Sequence, residues 1–298
     1  HIYQRVGRYE DAVKSNRLAI VADEDYITQC RAQGLYPMGY YPHNIDFLRF
    51  AASAEGQSEV AIDAARKVAS RIDDQTLAEM PMMAAFRVAP YWELTRFGRW
   101  DEMLKEPAPP RHAYLRGAWH YARGLALVAT DRLSEAEGEL AKLREMMNEK
   151  DLENPLFSPN TAGEVLRIGP EVLAGEIAAA RGQFNRAISH LEKAVRFEDS
   201  LVYTEPSEWP VPPRLVLGAV LLEAGRAAEA ETVYWNELRR HRGSGWSLFG
   251  LAQALRAQKK DVGDVQERFE EAWSRADVIL ASSRFGRPGA SPASSASR

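Results

Sequence analysis

The chain contains a single cysteine, Cys30, so no disulfide can join two parts of it. It also lacks an apolar run able to cross a bilayer. Runs such as "LVLGAVLL", residues 215–222, fall far short of the roughly 20 residues that a spanning helix needs. Neither sign of charge is in marked excess, the formal net charge being −4. That balance gives no global attraction to nucleic acid or to an anionic membrane surface, and no nucleic-acid partner is expected. No G-x-x-x-x-G-K-[ST] loop is present to cradle phosphate. No G-x-S-x-G elbow is present either, and the "GSG" of residues 243–245 has neither form.

What the chain does have is repetition. The phrase "VGRYEDAVKSNRLAI", residues 6–20, returns as "RGQFNRAISHLEKAV", residues 181–195, and as "AGRAAEAETVYWNEL", residues 224–238. Each reads as a helix end, a tight turn at glycine and a second helix with an apolar stripe. Turn positions of this kind fall at Gly7, Gly56, Gly98, Asp131, Gly182, Gly225 and Lys259. Alanines at 12, 61, 136, 187 and 230 follow five of them and allow helices to approach closely. A length of 298 residues would suggest about two domains, but an internal repeat overrides that inference.

These units resemble tetratricopeptide repeats, helix-turn-helix units of about 34 residues. The resemblance runs to Phe285 and implies an all-α, right-handed superhelical solenoid over residues 1–285, with about seven repeats. The Ser/Pro/Ala-rich residues 286–298 have little to bury and read as a disordered tail. The intervals between successive turns run long, medium, short, and then long, medium, short again. This is read as a duplicated three-repeat block, beside the alternative of chance agreement among few intervals. The first residue is His1 rather than Met, so an N-terminally truncated array is expected, with a capping helix upstream. A cytoplasmic location is the expectation carried with this reading. A start at His1 leaves an upstream signal sequence open.

In tetratricopeptide arrays the first helix of each pair lines a concave groove. The resemblance places there His1, Gln4 and Arg5, then His43, Asp46 and Phe50, then Trp92 and Arg96, then Tyr121 and Glu176. Lysine is absent from these positions, so a Lys/Asn clamp for a C-terminal carboxylate is set aside. The chain is similar, at "HIYQRVGRYEDAVKSN", "YYPHNIDFL" and "GWSLFGLAQALRAQ", to a bacterial group of tetratricopeptide proteins of unassigned function. In such relatives further histidines precede the residue matching His1.

Two readings of function follow. The first is a non-enzymatic scaffold whose groove and Pro/Trp-rich connectors hold a protein or peptide, with no cofactor. The second is a site at His1, His43 and Asp46, where two imidazoles and a carboxylate could ligate a divalent metal such as zinc or move protons. A plainer account has His43 and Asn44 bracing a helix start after Pro42, with His1 on the surface. Metal analysis separates the two functions. Stoichiometric metal that disappears on His43→Ala belongs to the second, and a metal-free protein to the first.

Overall fold

The computed structural model describes residues 1–31, 34 and 36–286. The expected tail therefore lies outside the described residues except for Gly286. No strand occurs among the described residues, only an isolated antiparallel bridge between Pro155 and Thr161. The seven turn positions separate fourteen helices. These are α1 (Ile2–Val6) and α2 (Tyr9–Cys30), α3 (Tyr41–Ala54) and α4 (Ser58–Ser70), then, after short α5 (Asp74–Glu79) and α6 (Ala84–Arg87), α7 (Ala89–Arg96) and α8 (Trp100–Lys105). There follow α9 (Ala113–Ala129) and α10 (Leu133–Met146), then short α11 (Ala162–Leu166). The chain continues with α12 (Ile168–Ala180) and α13 (Phe184–Asp199), α14 (Pro213–Glu223) and α15 (Ala227–Arg240), and α16 (Gly245–Ala257) and α17 (Gly263–Ala272). The main helices pack against their neighbours along the chain.

The turns share one backbone state. All seven have positive φ, including Asp131 at 61° and Lys259 at 57°. A left-handed residue stops one helix and offers its N–H to the carbonyls left open at that end. At Gly7, for example, that N–H bonds to Gln4 O at 3.2 Å. The alanines that follow the turns, Ala12, Ala61, Ala136, Ala187 and Ala230, are all buried. First helices such as α3 and α12 are buried on nearly every side. Second helices such as α13 keep one apolar stripe and a charged outer face.

The early and late described helices meet. Beyond α17, residues 273–286 form a strap that runs back over the earlier pairs. Trp273 lies against the Gly56 turn. Asp277 accepts from the backbone N–H groups of Ser58 at 2.7 Å and Glu59 at 3.1 Å, capping α4 from a distant part of the chain. Arg275 pairs with Glu55 at 2.6 Å and Glu10 at 3.1 Å. The strap ends with Phe285 against the Gly98 turn. Trp246 donates its indole N–H to Ser53 O at 2.9 Å, tying α16 to α3. Gly7 sits so close to Arg242 that a Cβ there would lie 2.3 Å from a carbonyl oxygen.

A pair of substitutions measures this closure. Gly56 and Gly225 share φ +74°, but a Cβ would stand 2.4 Å from the Trp273 ring at Gly56 and in open space at Gly225. Gly225→Ala is expected to cost about 1–2 kcal/mol for left-handed strain alone. Gly56→Ala should cost a further ~1–3 kcal/mol for the clash. Equal losses in chemical denaturation would mean that Trp273 does not rest on that turn.

Candidate functional site

The interior is divided by the connector between α13 and α14. Its Trp209 is buried and packs edge-on to Trp92, with ring centroids 4.9 Å apart, and to Tyr121 at 5.0 Å. Its Pro210 carbonyl accepts a hydrogen bond from Arg96 at 2.7 Å. On one side of this partition lies a cavity of about 430 Å³, and on the other a cavity of about 620 Å³.

The first chamber is walled by apolar side chains of α9, α12 and α14, with Trp100, Phe184 and Trp246. Three of the expected groove residues, Arg96, Tyr121 and Glu176, line it. A fourth, Trp92, supports it from behind through Tyr121 and Trp209. The strap supplies the charge balance. Arg284 reaches between Glu176 at 3.2 Å and Glu223 at 3.0 Å. Burial pushes the Glu176 carboxyl up to about 7 against the pull of Arg284. Burial also raises Glu223. Arg96 differs from Arg284 in having no ion pair among the described residues. It stacks over Trp246 at 4.9 Å, and its Nε is buried with no hydrogen-bond partner. Burial lowers its guanidinium to about 10, so it remains a cation at neutral pH.

The second chamber lies between α1, the connector and the end of α15. Gln4 and Arg5, both expected in the groove, line it. At the start of α1 the His1 and His43 rings converge, with centroids 5.3 Å apart and both against Phe47. His1 Nδ1 meets Glu205 of the connector at 2.8 Å. Asp46 is engaged elsewhere. Its carboxylate accepts from Arg49 Nε at 2.6 Å. Arg49 continues to Glu93 at 2.5 Å, and Glu93 accepts from Ser53 at 2.6 Å. This buried network joins α3 to α7, and desolvating Arg49 between two carboxylates ties all three together. The expected triplet therefore does not assemble. Among the described residues no group of three His, Cys, Asp or Glu is arranged to hold a metal. The helix-bracing account of this stretch has support from Asn44, which donates to Asp23 at 2.8 Å. Phe50 faces neither histidine of that set and instead approaches the His241 ring at 6.3 Å.

His241 is the residue that sequence reasoning missed. The run Arg239–Arg242 reads in sequence as a solvated helix C-terminus, with a phosphate or acidic partner as the alternative. His241 instead turns inward, with Nδ1 2.5 Å from the fully buried carboxylate of Glu237. Glu198 on α13 faces the same spot and pairs with Arg214 at 3.0 Å. Burial and the neighbouring Glu237 raise Glu198. The Glu237 and Glu198 charges raise His241 despite its burial. The available signal was Glu237 itself, one helical turn before the histidine and able to meet it on one face.

A comparison with protein-family models and with curated proteins gives no match. No described helix is long and apolar enough to cross a membrane.

The raised groups set a pH dependence. Glu176, Glu198, Glu223 and Glu208 keep their protons in the folded state to higher pH than in the unfolded chain. His241 does the same above the ordinary imidazole value, while His112, lowered by burial, opposes them. Across pH 5 to 8 the folded state binds more protons, so stability falls as pH rises. The melting temperature at pH 8 should lie roughly 5 °C or more below that at pH 5. A flat or rising profile in calorimetry would contradict these assignments.

Proposed function

We propose that the chain is a tetratricopeptide-like superhelical solenoid that serves as a binding scaffold, with the first chamber as its recognition site. The seven left-handed turns, each between two packed helices, support the repeat reading. The way the protein treats its own strap supports the binding reading. An extended segment is held in the interior by Arg284 between two carboxylates, by Ser283 against Tyr234 at 2.7 Å, and by Phe285 against a turn. A segment of a partner protein would be held by the same kinds of contact.

Arg96 carries the argument. A guanidinium taken from water with no carboxylate in contact is costly. Glu93 and Glu237 act on Arg96 only from a distance, and it lines a largely apolar chamber. The ligand that completes it bears an acidic group beside an apolar side chain. The acid is either an Asp or Glu side chain or the free end of a polypeptide.

The probes are acetylated tetrapeptides ending in leucine, with a free or an amidated C terminus, and with or without an internal aspartate. At least one acidic form should bind by titration calorimetry, while the uncharged amide does not. Which acid binds identifies the source. Arg96→Gln should weaken that binding about tenfold or more, since a hydrogen bond to a charged group contributes roughly 1.5–3 kcal/mol. Binding that is indifferent to charge, or to Arg96→Gln, would overturn the proposal.

A further inference from the structure

The second chamber holds an arrangement that neither the repeats nor peptide binding requires. Ser207 on the connector places its Oγ 3.4 Å from His241 Nε2, and the opposite ring nitrogen lies 2.5 Å from Glu237. With Nδ1–H donating to Glu237, Nε2 is left to accept the serine proton. That is the nucleophile, base and orienting-acid relationship of hydrolases, which is recognised by geometry and role rather than by chain order. A separation of 3.4 Å is long for a hydrogen bond, but such contacts are commonly loose before substrate is bound. All three components have a structural basis. Glu237 is fully buried, and its second oxygen has no partner. Such a carboxylate is expensive to bury and calls for an explanation beyond packing. His241 caps α15, its N–H bonded to Glu237 O at 2.8 Å, and its ring rests near Phe50. Ser207 and His241 both line the cavity of about 620 Å³.

We propose that Ser207, His241 and Glu237 form an ester-cleaving site, and that its substrates are small esters carrying a negative charge. The charge preference comes from the wall. Arg239, Arg240 and Arg242 all line this chamber. Arg240 is taken up by Asp199 at 2.7 Å. Arg239 meets only the neutral Asn236, at 3.3 Å, and Arg242 forms no ion pair among the described residues. The acids of the same lining are engaged, Glu198 and Asp199 by Arg214 and Glu208 by Ser158 and Asn160, so the charges left unpaired in this wall are those of Arg239 and Arg242.

The chemistry balances without a cofactor. Ser207 Oγ forms a bond to the acyl carbon and passes its proton to His241 Nε2. The bond from that carbon to the leaving oxygen breaks, and Nε2 returns the proton to the departing alcohol. Water then attacks the acyl-serine and gives a proton to Nε2. The carbon–Oγ bond breaks, and Ser207 takes the proton back. One ester and one water yield one carboxylic acid and one alcohol. Glu237 holds the ring in place and stabilises the imidazolium.

The test uses the whole chain. A fluorophosphonate reagent should add to Ser207, located by mass spectrometry of the digested protein. Ser207→Ala should abolish the adduct while leaving the melting temperature unchanged. The half-ester of succinic acid with p-nitrophenol should be hydrolysed faster than p-nitrophenyl acetate, and Ser207→Ala should reduce that rate ~10²-fold or more. The groups facing the imidazole are Glu237 and Arg240 of α15, Glu198 of α13 with its partner Arg214, and the neutral Phe50 and Ser207. The two carboxylates hold its proton, so labelling should rise with pH through a midpoint above that of a free imidazole. A conservative Glu237→Gln change removes one of them and should shift that midpoint downward, an effect that loss of packing alone would not produce. Absence of a Ser207 adduct between pH 6 and 9 would overturn the proposal. So would hydrolysis that survives Ser207→Ala. Preference for the neutral acetate would overturn the assignment of an anionic substrate.

Discussion

The hydrogen bond from the Trp246 indole to the Ser53 carbonyl spans 193 positions of sequence and joins α16 to α3. Around it, Trp246 meets Phe97, Trp273 and Phe285, and the Arg96 guanidinium lies over its face. A helical array with open ends would present its concave side to water. Here late helices are fastened to early ones, and part of the inner surface is taken out of water. Both chambers, and the low-dielectric surroundings that move Glu176, Arg96 and His241 from their ordinary protonation, depend on that fastening.

The helix pairs were legible in the sequence because a left-handed turn restricts what can stand there. Glycine serves at no steric cost, and the register of the repeat identified Asp131 and Lys259 where glycine was missing. Close packing selected the buried alanines in the same way. What pairs across the closed structure was not legible. Asp277 caps a helix 219 residues earlier, and no local pattern announces it. Trp209 belongs to an irregular connector, yet it is among the most deeply buried side chains. Asp46 carried its own counter-signal, since Arg49 stands three residues later on the same helix. Its acidity made it look like a ligand, although a paired carboxylate has little left to offer a metal. His241 failed for the opposite reason. Three arginines around it suggested solvent, and the one glutamate a turn earlier decided its direction.

The chambers differ in how they handle charge. In the first, a cation from the strap neutralises two buried acids, and a second cation has no carboxylate in contact among the described residues. In the second, buried acids surround a histidine, while exposed cations form the wall. The connector carrying Trp209 and Pro210 keeps these environments apart. The two chambers therefore present different charge environments on either side of Trp209.

The contact of the Gly7 turn with residues 242–243, together with the strap from Trp273 to Phe285, also bears on how such a chain can change over generations. In an open array, each unit touches only its neighbours, and copies can be gained or lost by recombination at little cost. Contacts between early and late helices reduce that freedom. One additional unit between Ser58 and Asp277 would displace Asp277 from the helix it caps and Trp273 from its seat. Between Gly7 and Phe285, insertion or loss of a helix pair is thereby disfavoured, and variation falls more readily on the connectors between helices.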